Sequence, residues 1–129
     1  PGGRARAVGG SALACAAGLA VLRIFDDEHI LANVVSQGDY LGQRLHALVG
    51  QLGAVTEARG LGLLRGLVLA PHVDPGATWR AALDAGLALT LAGGNVLRFT
   101  PSLNVTRAEL DEGLSIVASV LTKAHEVAA

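Results

Sequence analysis

The sequence is poor in the residues that most chemical signatures require. Its 129 residues include one cysteine (Cys15), one lysine (Lys123) and no methionine, and aromatic side chains make up 3%. A single cysteine excludes an internal disulfide, and because Cys15 lies in an apolar stretch we expect it to be a small buried hydrophobic residue. With a net charge of -1 and so few aromatic rings, no basic stripe or stacking platform for nucleic acid is predicted.

Long hydrophobic runs are missing as well. The longest, "ALACAAGLAVL" at residues 12–22, stops at Arg23, well short of the roughly 20 residues that span a bilayer. No clear cleavage site follows it, which argues against a secretory signal. We therefore expect a buried helix here, no membrane segment and a cytoplasmic protein.

Familiar catalytic and metal-binding motifs are also absent. There is no G-x-S-x-G elbow and no P-loop, and "GGSAL" at residues 9–13 is better explained as a loop and a helix cap. Lys123 falls in the exposed last turns of the C-terminal helix, which makes it a poor Schiff-base candidate. The four histidines are far apart in the sequence and lack metal-binding spacing, so no metal site is predicted: His29, His46, His72 and His125.

The chain is rich in apolar residues. Hydrophobic residues make up 51% and charged residues 16%, against about 25% charged in an ordinary soluble domain. The length predicts one domain with a single core, and the excess of apolar residues predicts that part of the surface meets a partner. The start "PGGRARAVGG" and the lack of methionine lead us to expect a fragment of a larger protein.

The hydrophobic periodicity predicts two helices at the start of the chain. Ser11 is a plausible cap of the first, whose inward face would consist of Leu13, Ala17, Ala20, Val21 and Ile24. The second would begin at about Asp26, with the carboxylates of residues 26–28 in its first turn, and end near Gly50 and Gly53. Its apolar stripe would consist of Ile30, Val34, Leu41, Leu45 and Leu48.

The remaining chain predicts two pairs of strands, each followed by a helix. Residues 54–70 indicate two strands around Arg59-Gly60, and residues 77–86 a helix with Trp79 and Leu83 toward the core. A hairpin then turns at Gly93-Gly94-Asn95, where positive φ values are expected. Thr106 and Glu109 form a capping box for a last helix with the inward residues Leu110, Leu114, Val117 and Leu121. The order ααββαββα predicts an α+β fold with a small, mostly antiparallel sheet of about four strands covered by helices.

One arginine stands out in the second strand of that hairpin. Because side chains alternate along a strand, Leu97 and Phe99 can enter the core while Val96 and Arg98 point toward solvent, a cleft or a partner. The planar guanidinium suits a carboxylate. The residues alone leave two interpretations of Arg98 open, a surface or structural ion pair and a binding site for a ligand carboxylate.

Three segments in order resemble the C-terminal small domain of class III pyridoxal-phosphate aminotransferases: "GGSALACAAGLAVL", "EARGLGLLRGLVL" and "AGLALTLAGGNVLRFTPSLNVTRAELDEGL". The resemblance implies an irregular lead at residues 1–10 and a small domain at residues 11–129, with a large cofactor domain absent. It also implies a pyridoxal 5'-phosphate-dependent homodimer in which Arg98 receives the substrate carboxylate. The reaction would move an amino group between an ornithine-type donor, such as N-acetylornithine, and 2-oxoglutarate.

The N-terminal lead departs from the family pattern, which reads approximately H-G-S/T-T-F/Y-G-G-N-P-L. Gly9, Gly10 and Leu13 match, but Ala7 occupies the position of a threonine that contacts the cofactor phosphate, and Val8 that of the aromatic. Ser11 and Ala12 replace the Asn-Pro pair. An alanine cannot donate that hydrogen bond, so no cofactor contact is assigned to the lead, and we expect its arginines, Arg4 and Arg6, to be flexible surface charges.

A second hypothesis stays open at this point. The single exposed Lys123 and the alanine at position 7 are also compatible with a non-catalytic, degenerate or truncated domain that acts only in folding or association. Under either hypothesis we expect this chain alone to be inactive.

Overall fold

A computed structural model describes residues 10–128. The helices are α1 Ala12–Asp27, α2 Ile30–Gln51, α3 Pro75–Asp84 and α4 Arg107–Ala128. The strands are β1 Val55–Leu61, β2 Leu64–Leu69, β3 Thr90–Ala92 and β4 Val96–Phe99. This order, ααββαββα, confirms the predicted α+β fold.

The four strands form one antiparallel sheet in the order β1-β2-β4-β3. Strands β2 and β4 are therefore central, and β1 and β3 are the edges. The turn between β3 and β4 is the predicted one, since Gly93 and Gly94 have φ values of 57° and 85°. Asn95, which was also expected to have a positive φ, does not.

The first hairpin turns later than predicted. Strand β1 continues through Arg59 and Gly60, and the turn consists of Gly62 and Leu63. Gly62 has a φ of 53°, which suits the first central position of a two-residue hairpin turn. Gly38 of α2 packs on this turn so closely that an added Cβ would lie 2.5 Å from the Gly62 carbonyl carbon.

Helices α2, α3 and α4 cover one face of the sheet. The central strands direct buried side chains toward them, namely Leu67, Leu69, Leu97 and Phe99. The predicted stripes of α2 and α4 are confirmed, because their members are buried or half-buried: Ile30, Val34, Leu41, Leu45, Leu48, Leu110, Leu114, Val117 and Leu121. The opposite face of the sheet carries a mixture of exposed and partly covered side chains and is the one that positions Arg98.

Helix α3 packs on the sheet through smaller residues than predicted. Its buried residues are Thr78 and Ala82, four positions apart on the inward face. Trp79 is half-buried against the core, as predicted, but Leu83 is 46% exposed. The inward line is taken by Thr78 and Ala82, so Leu83 is turned outward. Gly86, with a φ of 90°, follows the end of the helix as predicted.

The predicted caps of the first and last helices are present. The Ser11 hydroxyl accepts a hydrogen bond from the Ala14 amide at 3.2 Å. At the start of α4, the Thr106 amide donates to Oε2 of Glu109 at 2.7 Å, and the Glu109 amide donates to Oγ1 of Thr106 at 3.3 Å. This reciprocal pair is the capping box that the sequence predicted.

The burial predicted for the first helix is wrong. Helix α1 has no buried residue, and Cys15 is exposed. The whole expected inward face is exposed as well: Leu13, Ala17, Ala20, Val21 and Ile24. The reason is that α1 packs mainly along α2, and among residues 10–128 no second layer covers its apolar side. In this part of the chain, no helix has both the length and the apolar character needed to span a bilayer.

The boundary between α1 and α2 also differs from the prediction. Helix α1 continues to Asp27, and α2 begins at Ile30. Asp26 and Asp27 therefore lie in the last turn of α1, where the helix dipole disfavours carboxylates, and not in the first turn of α2. The break occurs at His29, which has a φ of 51°, a left-handed conformation that costs a non-glycine residue roughly 1–2 kcal/mol.

Candidate functional site

The candidate site lies on the exposed face of the sheet. Strand register pairs Arg59 with Gly66, Gly66 with Arg98, and Arg98 with Thr90. Residues paired directly across antiparallel strands share a face, so these four residues form one row across the sheet, which we call the Arg98 row. Arg98 stands in this row with no side chain beside it at Gly66 and with a hydroxyl beside it at Thr90.

The neighbouring row forms an apolar floor. Strand register pairs Val68 with Val96 and Val96 with Ala92. Val96 was predicted to point away from the core, yet it is buried. The reason is the missing side chain at Gly66, since an added Cβ there would lie 2.9 Å from Cγ1 of Val96. The valine thus fills the space that Gly66 leaves and places hydrocarbon next to Arg98.

The guanidinium of Arg98 is held at one nitrogen. Its Nε–H donates a hydrogen bond to Oγ1 of Thr90 at 2.9 Å, and the side chain is exposed. Between residues 10 and 128, no carboxylate lies within ion-pairing distance of Arg98. Its two terminal NH2 groups make no hydrogen bond within the same part of the chain. The sequence left two interpretations of Arg98 open, an ion pair within the chain and a binding site for a ligand carboxylate. The described residues supply no partner for the ion pair.

Arg65, on the neighbouring strand, is instead held at all three guanidinium nitrogens. It points toward α2, where Nε donates to the Gly62 carbonyl at 2.8 Å, Nη1 to the Gly60 carbonyl at 2.8 Å and Nη2 to the Gly38 carbonyl at 2.9 Å. A Cβ on Gly42 would lie 2.8 Å from its Cζ. Arg65 therefore ties the first hairpin to α2 and has no free edge for a ligand.

Arg59, the other arginine of the Arg98 row, is engaged more weakly. Its Nη1 lies 4.0 Å from Oε2 of Glu57, and both side chains are more than half exposed. A pair of this kind contributes little to stability. Arg59 and Arg98 line one shallow groove of about 380 Å³, together with Gly66, Ala92 and Val96. The groove thus combines positive charge with an apolar floor, which suits a small organic anion.

A larger groove lies elsewhere, between α3 and α4. It has a volume of about 680 Å³ and is lined largely by alanines, serines and aliphatic side chains, with Lys123 at its edge. It does not include Arg98. Because no charged group in it is fixed by a buried contact, we do not take it as the candidate site.

The four histidines are far apart in the sequence, yet two of them are in contact. Nε2 of His72 lies 3.2 Å from Nδ1 of His125, and the ring centroids are 5.4 Å apart. The contact joins the loop after β2 to α4, 53 positions apart in the sequence, so spacing alone could not reveal it. Within residues 10–128 there is no group of three or more side chains that could hold a metal ion.

The predictions about the N-terminal lead concern residues that lie mostly outside the described part of the chain. These are the surface charges Arg4 and Arg6, the family threonine position at Ala7, the aromatic position at Val8, and Gly9. Gly10 is described and has a φ of 104°. The question of cofactor contact by the lead therefore stays a prediction.

Comparison with known proteins identifies the family. A sequence profile described as Aminotransferase class-III matches residues 1–121. An acetylornithine aminotransferase of Synechocystis sp. is 39% identical over 124 residues, which cover 94% of this chain and 29% of that protein. An ornithine aminotransferase of Bordetella pertussis is 39% identical over 122 residues, covering 94% and 29%. The crystal structure of N-acetylornithine aminotransferase from Stenotrophomonas maltophilia superposes with a TM-score of 0.78 at 36% identity, covering 89% of this chain and 32% of that one.

The chain therefore belongs to the class-III aminotransferases. Within that family, its similarity is to acetylornithine and ornithine aminotransferases. It spans 29% of the length of the two relatives named, so it corresponds to one part of such an enzyme, and most of their length has no counterpart in it. The predicted resemblance is confirmed.

Class-III aminotransferases depend on pyridoxal 5'-phosphate. The single lysine, Lys123, is exposed on α4, in the helix layer on the other side of the sheet from Arg98. It cannot serve as an amine beside the Arg98 groove.

Proposed function

We propose that this chain supplies the substrate-carboxylate arginine, Arg98, of a pyridoxal 5'-phosphate-dependent aminotransferase. The enzyme would transfer an amino group between an ornithine-type donor, such as N-acetylornithine, and 2-oxoglutarate. The observation that carries the proposal is the state of Arg98: exposed in a groove, held at Nε, and without an acidic partner among residues 10–128. The names of the similar proteins support the choice of donor.

The chemistry of the groove explains how the arginine would act. The two terminal NH2 groups of Arg98 can donate two parallel hydrogen bonds to a carboxylate, which fixes both the position and the orientation of the substrate. The apolar floor at Val96 and Ala92 lowers the local polarity on one side, and electrostatic attraction is stronger there than in bulk water. Arg98 would bind and orient the substrate, while the cofactor and its lysine would lie outside this chain.

We also propose the arrangement of the complete protein. Residues 11–129 would form its small C-terminal domain, packed on a large cofactor-binding domain, and the enzyme would be a cytoplasmic homodimer in arginine biosynthesis. The short span of the chain relative to its relatives supports the missing domain. The uncovered apolar side of α1 supports an extensive contact with the rest of the protein.

Steady-state kinetics of Arg98→Ala in the complete aminotransferase test the proposal. Loss of charge-assisted hydrogen bonds worth about 1.5–3 kcal/mol should raise KM for N-acetylornithine about 10- to 150-fold. Arg98→Lys should recover only part of this loss, because a lysine cannot form the bidentate pair. Arg80→Ala is the matched control, since Arg80 is an exposed arginine on α3, in the helix layer, and its loss should leave KM unchanged.

Unchanged kinetics for Arg98→Ala would remove the assignment of Arg98. The chain would then fit the other hypothesis, a domain that acts only in folding or association.

A further inference from the structure

Thr90 controls which edge of the Arg98 guanidinium is free. A guanidinium can bind a carboxylate side-on, through Nε–H and one terminal NH2, or end-on, through both terminal NH2 groups. Nε–H of Arg98 is already donated to Oγ1 of Thr90 at 2.9 Å. The side-on edge is therefore occupied, and the end-on edge is the one that remains.

The position of Thr90 makes this contact well defined. Thr90 and Arg98 are paired directly across β3 and β4, so their side chains start close together on one face of the sheet. Threonine is β-branched, and its side chain has few rotamers in a strand. Its hydroxyl is thus a fixed acceptor, in contrast to the flexible carboxylate that forms the weak pair with Arg59.

The opposite side of Arg98 offers no side-chain acceptor. Its other neighbour in the Arg98 row is Gly66, which has no side chain. Cγ1 of Val96 covers Gly66, and both residues line the groove that contains Arg98. Within this row the acceptor lies on the Thr90 side, so the terminal NH2 groups of Arg98 keep their donors for a ligand in the groove.

We infer that Thr90 is a positioning residue that presents Arg98 to the substrate carboxylate end-on. The inference rests on the proposed function of Arg98. An arginine has large rotamer freedom, and a hydrogen bond that orders it before the substrate arrives removes part of that cost from binding. Because this hydrogen bond is exposed to solvent and affects binding only by ordering Arg98, its loss is expected to change affinity about three- to tenfold.

The test uses Thr90→Val, which keeps the shape of the side chain and removes the hydroxyl, and Thr90→Ser, which keeps the hydroxyl. Both are made in the complete aminotransferase, alone and combined with Arg98→Ala. The measurements are KM and kcat for N-acetylornithine and the calorimetric Kd for glutarate, which carries carboxylates but no reacting group.

We expect Thr90→Val to raise KM and Kd about three- to tenfold with kcat little changed, and Thr90→Ser to restore them. In the Arg98→Ala background, Thr90→Val should have no further effect on KM or Kd.

The outcomes separate this inference from the proposed function. If Arg98→Ala raises KM but Thr90→Val leaves KM and Kd unchanged, the role of Thr90 is overturned and that of Arg98 stands. The role of Thr90 is also overturned if Thr90→Val lowers kcat or the melting temperature without changing KM, or if its effect persists in the Arg98→Ala background. If Arg98→Ala itself has no effect, the proposed function fails and the inference fails with it.

Discussion

At the scale of the residue, two arginines on adjacent central strands show how environment decides role. Arg65 and Arg98 are both strand residues flanked by apolar neighbours in the sequence, but they point to opposite faces of the sheet. The guanidinium of Arg65 donates hydrogen bonds to three backbone carbonyls, whereas Arg98 makes one hydrogen bond and keeps its terminal NH2 groups exposed. The first arrangement stabilises the fold, and the second leaves donors for a ligand.

The structural role of Arg65 predicts a loss of stability on substitution. Arg65→Lys keeps the charge but cannot reach three carbonyls in fixed directions, so at least one of them loses its partner. We expect the free energy of unfolding, measured by urea denaturation of the 129-residue chain, to fall by about 1.5 kcal/mol or more. Arg59→Lys is the matched control on the exposed face and should change it by less than about 0.5 kcal/mol. Equal effects of the two substitutions would show that the hydrogen bonds of Arg65 add no stability.

At the scale of the element, helix α4 is fixed at its N-terminal end by two side-chain contacts. One is the capping box of Thr106 and Glu109. The other joins α4 to α2: the Tyr40 hydroxyl donates to Asp111, and the Arg107 guanidinium lies 3.8 Å from the centre of the Tyr40 ring. The hydrogen bond to Asp111 is the main cause that raises the pKa of Tyr40 above its ordinary value of 10.0. The capping box orders the start of α4, and the contacts of Tyr40 attach α4 to α2.

The capping box predicts a pH dependence of stability. Hydrogen bonds from the backbone amide and then the hydroxyl of Thr106 lower the pKa of Glu109 below its ordinary value of 4.5. Because the folded pKa is lowered, the stabilisation is present above pH 4.5 and is lost as the pH falls through the lowered pKa. Glu109→Gln should therefore flatten the acid side of a plot of unfolding free energy against pH. Glu112→Gln, an exposed change on the same helix, is the control, and a similar flattening by both would contradict the assignment to the cap.

At the scale of the whole molecule, the sequence predicted the secondary-structure elements better than it predicted the tertiary contacts between them. The caps, the hairpin glycines and the helical periodicity predicted all eight elements in order, because each depends on residues close in the sequence. The turn at Gly62, the outward Leu83 and the contact of His72 with His125 depend on packing and register, which a single sequence does not contain. The same holds for the site, since Arg98 could be chosen from its strand position, but Thr90 could be linked to it only through the pairing of β3 with β4.

The exposed helix α1 is the largest departure from the prediction, and it has a testable explanation. Its apolar side was predicted to be buried, and in the described chain it is not; Leu13 is 81% and Val21 52% exposed. An apolar helix that nothing covers is costly for a protein in water, so we expect the part of the aminotransferase outside this chain to cover it.

Polar substitution of α1 should therefore have different effects in the isolated chain and in the complete protein. In the 129-residue chain, the double change Leu13→Gln, Val21→Gln should alter the free energy of unfolding by less than about 0.5 kcal/mol, as exposed substitutions do. Leu41→Ala, at a position only 2% exposed, is the control and should lower it by about 2–5 kcal/mol. In the complete aminotransferase, the same double change should lower the melting temperature, because it would place two amides in an apolar interface. An isolated chain that lost as much stability as Leu41→Ala would mean that α1 already belongs to the core of this domain, and a complete protein that lost none would mean that the apolar side of α1 stays uncovered.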